Sequence, residues 1–147
     1  MKKIVIASDH GAVDLKGEII TFLTKKNIDV TDLGTWGTIA VDYPDMALAA
    51  CQTFLKGGYE FGIVLCGTGI GISMAANKVK GIRCALISDL FSAEMAKAHN
   101  NANVIAFGGR MHYAMPVTDM IEKFMTTTFA GERHENRISK MMAIENL

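Results

Sequence analysis

The chain has 147 residues, with 15 Lys and Arg balanced by 15 Asp and Glu, and three cysteines. That length suits one domain around a single core, and a formal charge of zero gives no basis for a nucleic-acid groove or an acidic tail. The odd set Cys51, Cys66 and Cys84, without a C-x-x-C pair, argues against a disulfide framework and against structural zinc, and fits a reducing cytoplasm.

The apolar run after Lys2 and Lys3 is broken at once by Ser8, Asp9 and His10, so it reads as a first strand, about Lys3 to Ala7, and not as a signal segment. Leu15, Ile19, Ile20, Phe22 and Leu23 then form one face of an amphipathic helix, with Lys16, Glu18, Lys25 and Lys26 placed for water. A second strand is expected near Ile28 to Leu33. A second helix should follow Tyr43-Pro44, carry Met46, Ala50, Phe54 and Leu55, and stop at Gly57-Gly58. Phe61 to Leu65 is a short apolar run of the type found in buried parallel strands. A third helix starts after Gly71, a strand covers about Ile82 to Ile87, and a fourth helix runs from Leu90 to His99 with Ser88 or Asp89 as its cap. Val104 to Phe107 is the last strand, and a fifth helix is expected over Tyr113 to Phe129. Gly131 marks a break before a charged tail, about residues 131–147. No apolar run approaches the roughly 20 residues that span a bilayer, so a soluble protein is expected. Alternating strands and helices predict an α/β domain whose parallel sheet is covered on both faces, with residues 1–147 forming one unit.

The segment Phe61-Gly-Ile-Val-Leu-Cys66-Gly-Thr-Gly-Ile-Gly71 carries the strongest chemical signal. It places a thiol at the carboxyl end of a strand, where open α/β sheets bind ligands, followed by a glycine turn whose amides can face an anion. Such amides favour a thiolate; the same position also suits a small buried hydrophobe. Gly67, Gly69 and Gly71 give G-x-G-x-G, so the dinucleotide fingerprint fails, and no Lys-Ser or Lys-Thr closes a P-loop. The turn also lacks the arginine that a cysteine phosphatase needs.

Asp9-His10, Asp42-Tyr43, Asp89 and Arg110 follow the other strands. Asp9 can be a helix cap, His10 a turn residue, and His99 a cation at a helix C-terminus. Together a thiol, an acid and two imidazoles near an anion-friendly turn are components for proton transfer. Arg133 and Arg137, four residues apart, share a helix face and can fork onto one anion such as phosphate, or form a solvated face beside Glu132 and Glu135. The apolar set Ile138, Met141, Met142 and Ile144 behind them equips the tail to pack on a second subunit and carry its arginines into that subunit's pocket.

Ser8-Asp9-His10, Gly34-Thr35-Trp36, Asp42-Tyr43-Pro44, Cys66 to Gly71, Ala75-Ala76-Asn77-Lys78, His99-Asn100, Asn103-Val104, Phe107-Gly108 with Arg110, and Arg133-His134 with Arg137 together resemble the type B ribose-5-phosphate isomerases and their allose- and galactose-6-phosphate relatives. The likeness covers essentially the whole chain. It implies a three-layer α/β/α Rossmann-like domain with strand order 2-1-3-5-4. It also implies a metal-independent aldose–ketose isomerisation through an enediol or enediolate, with no cofactor. On that resemblance Cys66 is the base, His99 opens the sugar ring, and Thr68 with the amides of Gly67, Gly69, Ile70 and Gly71 holds substrate oxygens. Asp9 joins the catalytic set and, with Asn100, holds sugar hydroxyls. His10, Tyr43, Arg110, Arg133 and Arg137 form the phosphate end. The family works as dimers or tetramers of such dimers with the active site at the interface, and retention of both Cys66 and His99 in one chain favours a homo-oligomer. One departure is Val13, where many relatives have an aromatic; it bears on the preferred sugar length, five or six carbons.

Overall fold

The computed structural model of the chain describes residues 2–147. Five strands, β1 (Lys3–Ser8), β2 (Asp29–Asp32), β3 (Phe61–Cys66), β4 (Cys84–Leu86) and β5 (Val104–Gly108), form one sheet in the order β2-β1-β3-β5-β4. Every pairing is parallel. The helices are α1 (Val13–Lys25), α2 (Tyr43–Leu55), α3 (Ile70–Ala76), α4 (Leu90–Ala98), α5 (Val117–Thr126) and α6 (Arg133–Ala143). None is long and apolar enough to cross a membrane.

Period-two alternation sorts the central strands onto two faces. Ile4, Ile6, Ile63, Leu65, Ile105 and Phe107 meet α1, α4 and α5 through Ile19, Leu23, Ala93, Ala96, Met120, Ile121 and Phe124. The other face is built from smaller residues, with Ala7, Val64, Cys66, Val104 and Ala106 against Ala47, Ala50 and Cys51 of α2 and Ile72 and Ala76 of α3. Small side chains on both partners let α2 and α3 lie close to the strands, which brings the start of α3 beside the end of β3.

Lys16 is buried, contrary to the solvent role its place on α1 predicts. Its ammonium is 2.6 Å from Asp32 Oδ1 and 5.1 Å from the centroid of the Trp36 ring. Asp32 also accepts the Gly34 N–H at 2.9 Å and the Trp36 indole N–H at 3.0 Å. The amphipathic pattern shows only that Lys16 is polar; its counter-charge comes from β2.

The fifth helix begins four residues later than expected and ends three earlier. Pro116 disfavours helical backbone at the residue before it and is itself extended, with ψ 142°. At the other end the Thr126 and Thr127 hydroxyls turn back onto the carbonyls of Glu122 and Lys123, competing with continuation of the helix.

Candidate active site

Four loops meet at the carboxyl edge of the sheet. In the first, Asp9 follows β1, is 7% exposed, and accepts the Gly11 N–H on Oδ1 at 2.8 Å. It caps the 3-10 turn His10–Ala12 that leads into α1. The capping role read from sequence is therefore real, and it fixes the carboxylate at the strand end. His10 Nδ1 accepts the Val41 N–H at 3.2 Å, which in the neutral ring leaves the proton on Nε2.

Cys66 ends β3. Its sulfur, on a residue 5% exposed, accepts the Gly69 N–H at 3.1 Å, and a donor aimed at sulfur stabilises negative charge there. Gly69 has φ +81°, and a Cβ on it would lie 2.8 Å from the Phe107 carbonyl carbon. Only glycine meets both demands. The exposed Thr68 accepts the Ile70 N–H on its Oγ1 at 3.2 Å, closing the turn as α3 begins, one residue before Gly71.

Two side chains reach this turn from outside it. The Tyr43 ring, at the start of α2, lies against Gly71, where an added Cβ would come within 2.7 Å of Cζ. Arg110 arrives after β5, with Nη1 3.4 Å from the Cβ position of Gly67. Gly11 approaches too, its Cβ position 3.1 Å from the Gly67 nitrogen. Asp9, His10, Tyr43, Cys66 to Gly71 and Arg110 thus form one neighbourhood containing an acid, an imidazole, a thiol, a phenol and a guanidinium.

His99, Asn100, Arg133 and Arg137 are not in it. α4 runs antiparallel to the strands it connects, so its C-terminal end, His99, lies at the amino edge of the sheet beside the start of β5. At ~3.3 Å per residue, the five-residue β5 separates the two edges by roughly 13 Å or more. The expectation that both imidazoles gather at the cysteine turn fails within one copy of the chain, because helix polarity carries the C-terminus of α4 away from it.

The amino-edge groups are organised among themselves. The rings of His99 and His134 stack with centroids 4.1 Å apart and 14° between planes. His134 is buried, while Arg133 and Arg137 beside it are exposed. Burial, followed by the charges of His99, Arg133 and Arg137, holds the His134 imidazole below its ordinary value. The α6 helix therefore docks on its own chain; near its end the Gly81 N–H donates to Glu145 Oε1 at 2.9 Å. Asn100, Arg83, Met141 and Met142 line an adjoining groove of ≈ 630 Å³. The other two thiols are unsuited to proton transfer near neutral pH: burial pushes Cys51 up to about 11 and raises Cys84 as well.

The family model described as Ribose/Galactose Isomerase matches residues 4–141. The chain belongs to this family. It is 38% identical over 145 residues to the ribose-5-phosphate isomerase B of Escherichia coli, covering 99% of this chain and 97% of that one. Its fold matches the ribose-5-phosphate isomerase B of Clostridium thermocellum with a TM-score of 0.94, 44% identity, and coverage of 98% and 97% of the two chains. The enzyme of Mycoplasma genitalium, solved with bound ribulose-5-phosphate, matches with a TM-score of 0.91 and 37% identity, covering 98% and 96%.

Sequence reasoning gave no role of its own to His134 or Gly108. The stack of His134 on His99 joins residues 35 positions apart, for which the chain carries no local signal. Gly108 did carry one: two glycines directly after an apolar strand mark a close backbone approach, and here a Cβ would lie 2.5 Å from the Thr68 carbonyl carbon.

Proposed function

We propose that the protein is an isomerase that interconverts ribose 5-phosphate and ribulose 5-phosphate, without a metal or cofactor, through an enediolate. The observation that carries this reading is the Cys66 sulfur at the end of β3, held by the Gly69 N–H inside a glycine turn, in a chain of the ribose/galactose isomerase family. The Cys66 thiolate takes the proton from carbon 2 of the open-chain aldose. The electron pair moves onto the carbonyl oxygen, and the turn amides with Thr68 meet the charge that develops there. Shift of a proton between the two oxygens and return of the first proton to carbon 1 give the ketose and regenerate the thiolate. Arg110, His10 and Tyr43 hold the phosphate at the same edge, with Arg133 and Arg137 supplying guanidinium forks; Asp9 and Asn100 hold sugar hydroxyls, and His99 opens the ring.

The two edges of one copy are too far apart for this set to act on a single small sugar. The reading therefore includes a homodimer, or a dimer of dimers, in which the amino-edge group of one subunit completes the carboxyl-edge group of another. Its unpaired thiols suit a reducing cytoplasm.

A six-carbon 6-phosphosugar is the second reading. It is favoured by the family's breadth and by Val13, the one departure from the resemblance, which directly follows the His10 turn. Rates on ribose, allose and galactose phosphates, measured with a chelator present, separate the two; activity on none of them overturns both. Cys66→Ala is expected to lose at least about 10²- to 10⁴-fold in turnover. A wild-type rate in that variant removes Cys66 as the base.

A further inference from the structure

β5 runs two residues past its pairing with the short strand β4, which ends at Leu86 opposite Ala106. The N–H of Gly108 donates instead to the Tyr113 hydroxyl at 2.8 Å. The Tyr113 ring is braced edge-on against Phe107, with centroids 6.3 Å apart and 79° between planes. The backbone that this bond anchors is the one seated on the cysteine turn: Gly109 N–H donates to the Cys66 carbonyl at 2.8 Å, and Arg110 N–H to the Gly67 carbonyl at 2.9 Å. Arg110 thus leaves the chain two residues beyond the amide that Tyr113 holds, across a pair of glycines with wide conformational freedom.

We infer that Tyr113 is a positioning residue for Arg110, its hydroxyl fixing the pitch of the 108–110 turn and so the place where the guanidinium meets the substrate's phosphate. This rests on the isomerase reading above. The ring alone braces β5; the oxygen sets the direction of the turn. Burial, opposed by the Gly108 N–H and reinforced by the nearby Cys66, holds the phenol above its ordinary value, so it is a neutral acceptor near neutral pH.

Tyr113→Phe keeps the ring and removes only the acceptor. Calorimetric titration with inorganic phosphate, together with steady-state kinetics on ribose 5-phosphate, reads the effect. The dissociation constant for phosphate and KM are expected to rise about three- to tenfold, the size of one lost hydrogen bond, with kcat within about twofold. On an Arg110→Ala background the same change is expected to have no further effect on phosphate binding. Tyr113→Leu, which also loses the brace, is expected to lower the thermal midpoint without weakening phosphate binding beyond Tyr113→Phe. Wild-type phosphate affinity in Tyr113→Phe, a loss confined to kcat, or an undiminished effect without Arg110 would each overturn the inference. If the wild-type protein isomerises no phosphosugar, the isomerase reading falls, while the phosphate titration still decides whether Tyr113 places Arg110.

Discussion

His134 illustrates how a single side chain can tie the stability of an element to pH. Its imidazole is buried, stacked on His99, and flanked by Arg133 and Arg137, with only Glu132 offsetting them. All but Glu132 disfavour the protonated ring, so the folded value lies below the ordinary 6.5. The folded protein then binds fewer protons than the unfolded chain between the two values. The corresponding stability is fully present above about 6.5 and is lost as pH falls toward the depressed value. The thermal midpoint, or hydrogen-exchange protection of α6, should decline through this window. His134→Gln, which cannot be protonated there, should flatten that part of the profile; an unchanged slope would mean that His134 titrates normally.

At the scale of elements, the site depends on backbones brought into contact, and the sequence reveals this unevenly. Strands and helices were legible because buried parallel strands are continuous apolar runs and helices carry a 3.6-residue stripe. The ends of α5 were less so: the stripe continued, while Pro116 and the Thr126 and Thr127 hydroxyls set the limits. Cys66 and its turn were legible as chemistry because glycine spacing is local. That Asp9, Tyr43 and Arg110 share the strand ends with it was legible as well; that Gly11, Tyr43 and Arg110 press directly on the turn was not, since they reach it from β1, α2 and β5. Gly108→Ala tests this contact. Its methyl would lie 2.5 Å from Thr68 backbone and 2.7 Å from Met111 Cγ, and Thr68 backbone cannot swing aside as a side-chain tip can. A loss of about 1–3 kcal/mol in unfolding free energy is expected from overpacking, with a fall in kcat because the displaced turn carries the amides near Cys66. Denaturant unfolding and turnover measured together check both; full activity would show that the turn tolerates displacement.

For the whole molecule, the decisive fact is that sheet polarity divides the candidate site. Cys66, Thr68, Asp9, His10, Tyr43 and Arg110 stand at the carboxyl edge, and His99, Asn100, Arg133 and Arg137 at the amino edge. No rotamer change bridges roughly 13 Å or more across a five-residue strand, so the proposed set is complete only if a second copy is placed carboxyl edge to amino edge. In a two-fold dimer each such contact occurs twice. Subunit mixing tests this directly. In the proposed homodimer, Cys66→Ala alone or His99→Ala alone leaves only defective sites. In a heterodimer of the two, one site collects both substitutions, and the other pairs the intact Cys66 of one subunit with the intact His99 of its partner. Random exchange of equal amounts, under conditions that let subunits dissociate and reassociate, should therefore restore about a quarter of wild-type sites, since half of the dimers are mixed and each mixed dimer holds one good site. The isomerase assay before and after exchange reads the recovery. Were each site built within one chain, every site in every mixture would carry a substitution, and activity would stay at the level of the separate variants.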